Sequence, residues 1–125
     1  MTRQIVTTDK IAPAVGPFAA AVNARGVLYV SGQVALDPKT GKLIPGDVAA
    51  QAEQIFRNLA AVLEAAGKSF ADVSRVGVYL TNMGDFAAMN AVYARHFEAP
   101  YPARTTIGVA ALPLGASVEM DLVAG

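Results

Sequence analysis

The sequence predicts an α+β fold in which two helices cover one face of a sheet, and three observations lead to it. Apolar residues recur at helical spacing from Val48 to Ala66 and again from Phe86 to Phe97. Short runs rich in Val, Ile, Tyr and Thr stand before, between and after those two stretches, bounded by Gly, Pro and Asp. The resulting order is three strands, a helix, a strand, a helix and two strands, which makes a layered sheet with helices on one side the natural solution.

Each element has its own local reason. Arg3 to Thr7 reads as a first strand, and Pro13 with Gly16-Pro17 prevents it from continuing. Phe18 to Val22 is predicted as the second strand. Val27 to Val30, after the Arg25-Gly26 turn, is the third and forms a hairpin with the second. It leaves through Ser31-Gly32-Gln33, where a glycine marks either an ordinary exit or a place of close backbone approach. Asp37 to Gly41 is turn chemistry. Asp47 suits an N-cap, and Val48, Ala52, Ile55, Phe56, Leu59, Val62 and Leu63 form the buried stripe of the helix that Gly67 ends. Gln51, Glu53, Gln54, Arg57, Asn58 and Glu64 are assigned mostly to its solvated face.

Val73 to Leu80 is the fourth strand. A second helix starts at Asp85 and buries Phe86, Met89, Val92 or Tyr93, and Phe97, with Asn90 close to that stripe. Ala99-Pro100-Tyr101-Pro102 breaks it. The last two runs, containing Arg104 and Glu119, are predicted to pair as a hairpin turning between Pro113 and Leu114. That register sets Gly108 opposite Glu119 and Thr106 opposite Asp121, placing Arg104 and Glu119 on one face roughly 13 Å apart.

With 125 residues the chain fits one domain, 1–125. Hydrophobic residues make up 54% and charged residues 16%, against about 25% charged in an average soluble protein. This surplus predicts that another subunit covers the second sheet face. Ten Lys and Arg balance ten Asp and Glu, which argues against a nucleic-acid partner. There is no cysteine and a single histidine, His96, so thiol, zinc and Ser-His chemistry lose support and no metal or cofactor is expected. No stretch approaches a membrane span, and a cytoplasmic protein is predicted.

Arg104 and Glu119 are the charges that interrupt otherwise β-patterned runs. A guanidinium is shaped to hold a carboxylate through two parallel hydrogen bonds, and a glutamate can orient and deprotonate water. Together they suit hydrolysis of a small carboxylate-bearing electrophile; a surface ion pair is the plainer alternative.

Gly16-Pro17-Phe18, Val30-Ser31-Gly32-Gln33, Asp37 to Gly41, Gln51 to Asn58, Ala65-Ala66-Gly67, Asp85-Phe86 with Asn90 and Tyr93, Pro102 to Thr105 and Val118-Glu119 together resemble the RidA (YjgF) family over nearly the whole chain. The resemblance implies a chorismate-mutase-like α+β subunit, with a six-stranded mixed sheet and two helices on one face. It also implies a homotrimeric barrel with ligand sites in clefts between subunits. The implied activity is an enamine/imine deaminase: 2-aminoacrylate or 2-aminocrotonate tautomerises to an imine, which is hydrolysed to a 2-keto acid and ammonia. Arg104 would then bind the substrate carboxylate and Glu119 would position and activate water. Gly32, Ser31, Phe18, Asn90 and Thr106 would line the site. Phe18 stands where deaminase members commonly carry tyrosine, and Thr106 where many carry cysteine, which bears on substrate preference. A 2-keto acid binding protein without turnover, and a deaminase with a larger substrate, are the competing readings.

Overall fold

The computed structural model describes residues 2–125. Its strands are β1 (Arg3–Val6), β2 (Ala21–Ala24), β3 (Val27–Gln33), β4 (Val73–Leu80), β5 (Ala103–Gly108) and β6 (Val118–Ala124), with helices α1 (Val48–Ala65) and α2 (Phe86–Tyr93). They form one six-stranded sheet in the order β1-β2-β3-β6-β4-β5. Only β4 and β5 pair in parallel; the other neighbours are antiparallel. The α+β class and the mixed sheet predicted above are both present.

α1 begins where Asp47 accepts a hydrogen bond from the Ala50 N–H at 3.0 Å. It ends as Gly67, at φ +72°, turns the chain and the Lys68 N–H reaches the Leu63 carbonyl at 2.8 Å. Its apolar stripe, including Ile55, Phe56, Leu59 and Leu63, packs with Val76, Val78, Leu80, Val118, Met120 and Leu122 of the sheet into one core. The strands of that core alternate, so the side chains between these residues emerge on the other face.

Four expectations need correction. The second strand runs Ala21–Ala24, because Phe18 to Ala20 belongs to the irregular approach from Pro13 and pairing with β3 is set by the tight Arg25-Gly26 turn. Both turn residues have positive φ, 55° and 81°, as a two-residue hairpin loop demands. Gln51 and Asn58 are buried on α1: the Gln51 side-chain oxygen accepts from the Ser117 N–H at 2.9 Å, and the Asn58 amide donates to the Leu36 carbonyl at 3.0 Å. These bonds satisfy irregular backbone that apolar periodicity does not register. α2 closes at Tyr93, short of Phe97, although Phe97 is still buried.

The fourth correction changes the site. β5 and β6 do not pair as a hairpin; β4 lies between them. α2 provides the crossover that a parallel β4–β5 pair requires, and the apolar Val76-Gly77-Val78 centre of β4 gains a neighbour on each side.

Candidate functional site

The register across β4 separates the two charges. Arg104 is aligned with Val76 and Thr106 with Val78, so both project to the helix-covered face. Glu119 is aligned with Tyr79, whose neighbours Val78 and Leu80 are the core residues, so Glu119 projects to the opposite face. Within one chain the sheet itself stands between the guanidinium and the carboxylate.

Around Arg104, α2 presents Phe86, Asn90 and Tyr93, a spacing that brings three side chains onto one helical stripe. The Arg104 Nη1 donates to the Asn90 Oδ1 at 2.6 Å. Its Cζ lies 4.5 Å from the centre of the Tyr93 ring and 5.6 Å from that of Phe86. Among the described residues no carboxylate pairs with Arg104, so its charge is held by neutral partners. It opens onto a cavity of about 370 Å3 lined by Asn90, Tyr93, Ala94, Tyr101, Pro102 and Arg104. A positive group with unused N–H donors in such a cavity is suited to a small carboxylate. The hydroxyls of Tyr93 and Thr106 are buried without a hydrogen-bond partner.

Glu119 is set against the end of β3. Ser31 and Gly32 occupy a bulge, two residues facing one on β6 between the Val30–Leu122 and Gln33–Met120 pairs. A Cβ at Gly32 would overlap the Glu119 carboxylate as it lies here, so the glycine lets that side chain rest against the strand end. The Ser31 hydroxyl donates to the Ala19 carbonyl at 2.6 Å and the Ser31 N–H to Ala20 at 2.9 Å, which ties the segment carrying Phe18 to the same strand end. Phe18 itself is 54% exposed. Burial, and then the like charge of Asp121, raise the Glu119 pKa above the ordinary glutamate value, favouring a carboxylate that accepts a proton readily. Asp121 in turn accepts a hydrogen bond from the Tyr79 hydroxyl at 2.9 Å and lies 3.9 Å from Arg75.

The predicted residues therefore fall into two groups, Arg104, Asn90 and Thr106 on the helix-covered face, and Glu119, Gly32, Ser31 and Phe18 gathered about the end of β3. Tyr93 and Phe86, read from the sequence as core, also surround Arg104; their spacing with Asn90 was the available signal. A larger cavity of about 460 Å3 under the segment bearing Phe18 is lined by Ile5, Thr7, Ile11, Pro13 and other uncharged residues, and neither charged group borders it. His96 is partly buried at the edge of the core, stacked on Phe56 at 4.3 Å with its Nε2 2.9 Å from Glu53, whose pKa is lowered first by that bond. No helix among the described residues is long and apolar enough to cross a membrane.

The family described as Endoribonuclease L-PSP matches residues 8–125. Protein DfrA of Myxococcus xanthus is 45% identical over 99% of this chain and 96% of its own length. The mouse protein named 2-iminobutanoate/2-iminopropanoate deaminase is 42% identical, covering 98% of this chain and 90% of that one. The crystal structure of RidA from the Antarctic bacterium Psychrobacter sp. PAMC 21119 superposes with a TM-score of 0.93 at 45% identity, over 97% of this chain and 98% of that chain. With sequence, strand order and helix placement in agreement over nearly its whole length, the chain belongs to the Endoribonuclease L-PSP family, the YjgF/RidA family.

Proposed function

We propose that the protein is an imine deaminase that hydrolyses the 2-imino acids derived from 2-aminoacrylate and 2-aminocrotonate. The observation that carries the reading is the Arg104 guanidinium, held by Asn90 and two aromatic rings with no carboxylate of its own, at the mouth of a cavity of small-molecule size. Relatives at about 40% identity that are named imine deaminases support the same class of reaction.

The substrate carboxylate pairs with Arg104, which fixes the imine carbon. Glu119 accepts a proton from water as the water oxygen bonds to that carbon and the C=N electrons move to nitrogen. The nitrogen takes that proton back from Glu119 to give a carbinolamine; its hydroxyl proton then passes by way of Glu119 to the nitrogen as the C–N bond breaks, so that ammonia leaves as the carbonyl forms, giving the 2-keto acid. Such hydrolysis is intrinsically easy, so orientation and one placed water suffice. Gly32 and Ser31 offer backbone and hydroxyl contacts beside Glu119, Phe18 walls that side, and Thr106 and Asn90 border the carboxylate.

Because Arg104 and Glu119 leave opposite faces of one sheet, the site draws Arg104 from one chain and Glu119 from another, and a homotrimer with three such clefts closes the arrangement. The proposed reaction calls on no nucleic acid, metal or cofactor, and the cytoplasm is the proposed location.

The test uses co-expressed Arg104→Ala and Glu119→Gln chains. Each variant alone should be inactive, while random mixed trimers should regain roughly one quarter of wild-type activity, one combination in four supplying both groups. Restoration to nothing would mean that the two residues serve one chain or none. Saturable 2-keto acid binding by a wild-type protein that releases no ammonia would instead make it a binding protein.

A further inference from the structure

A guanidinium that must receive a carboxylate faces two opposed demands. Its long side chain has to be held in one pose, yet its N–H donors and its charge must stay available. An acidic partner would meet the first demand and defeat the second. At Arg104 a single donor is committed, from Nη1 to Asn90 at 2.6 Å, and no carboxylate is near among the described residues. What remains to hold the plane is two rings, Phe86 at 5.6 Å from Cζ and, nearer, Tyr93 at 4.5 Å. A ring face attracts a cation without using any N–H.

Tyr93 can serve as such a platform because it is itself anchored. It is only 6% exposed, its ring lies 4.7 Å from Phe97, and it meets Phe56 edge-on at 5.9 Å. Its hydroxyl has no hydrogen-bond partner, so the side chain's contacts are those of the ring. We propose that Tyr93 is the positioning residue for Arg104: its ring fixes the guanidinium plane so that the free donors face an incoming carboxylate. This rests on the deaminase reading for its consequence in catalysis, but not for the ordering of Arg104.

The experiment compares the wild type with Tyr93→Phe and Tyr93→Leu, each checked for fold by circular dichroism. In the ligand-free proteins, the side-chain NMR signals of isotope-labelled Arg104 report the ring directly. Wild type and Tyr93→Phe should show them narrow and displaced by the ring current; Tyr93→Leu should return them to averaged positions. With the imine from 2-aminoacrylate, Tyr93→Phe should stay within about twofold of wild type, whereas Tyr93→Leu should raise KM about tenfold with kcat little changed. Undisplaced Arg104 signals in the wild type would overturn the proposal even where Tyr93→Leu failed to fold. So would a Tyr93→Leu protein with wild-type KM, or a Tyr93→Phe protein as impaired as Tyr93→Leu. Displaced signals in a wild type that hydrolyses no imine would uphold Tyr93 and sink the deaminase.

Discussion

Removing the Arg104 guanidinium by Arg104→Ala is expected to lower kcat/KM on the order of 100-fold or more, since a charge-assisted pair with the carboxylate is lost in every bound state. Keto-acid formation from freshly generated 2-aminoacrylate checks this. As the proposed proton acceptor, Glu119 should set the pH dependence of the rate. Its raised pKa means that the proton-accepting form is lost already at a pH above the ordinary glutamate range, so activity should fall there on acidification. Asp121→Asn removes the neighbouring like charge, and the acid limb of the pH-rate profile should move to lower pH. The sign for stability is the reverse of the usual carboxylate case. The folded protein holds the Glu119 proton more firmly than the unfolded chain does, so stability declines as pH rises from the unfolded to the folded pKa. Glu119→Gln should therefore show a slightly higher Tm at neutral pH while losing most activity. At this scale the sequence was informative: Arg104 and Glu119 stood out as charges inside apolar runs. Tyr93 did not, because an aromatic on a helical stripe reads as core, and here it is core and platform at once.

α1 was legible from Asp47 to Gly67 because periodicity, cap and stop agree. Its two buried amides were not, since polar residues at Gln51 and Asn58 look solvated until the backbone they serve is known. Asn58→Ala leaves the Leu36 carbonyl and the Gln54 amide without their partner, and should cost about 2 kcal/mol in urea unfolding at fixed protein concentration. The Gln51 bond to Ser117 lies one residue before β6 begins, so α1 fixes the entry of the strand that carries Glu119. The second strand was misplaced for a similar reason. Phe18 to Ala20 has strand composition, but its backbone is used by Ser31, through two hydrogen bonds that tie a loop to a bulge.

On the whole molecule, the face away from the helices carries a row in which Ile5, Val22, Tyr29 and Val123 are aligned across four strands, with Ile5 59% and Tyr29 50% exposed. A continuous apolar row of this kind is what a subunit contact buries. Tyr29→Glu places a charge inside this row and should dissociate the proposed assembly in sedimentation equilibrium, abolishing activity although Arg104 and Glu119 are both intact. The chain order of elements was readable, but the pairing of the last two strands was not. Adjacency in sequence favours a hairpin, and only the demand of apolar β4 for two neighbours decides otherwise. Through the shared site proposed above, that insertion of β4 between β5 and β6 reaches into heredity. When each site takes one half from each of two chains, the fraction of working sites falls as the square of the fraction of sound chains. A cell making equal amounts of wild-type protein and a chain lacking both Arg104 and Glu119 would keep about a quarter of its sites, so the defective copy would act as a partly dominant one.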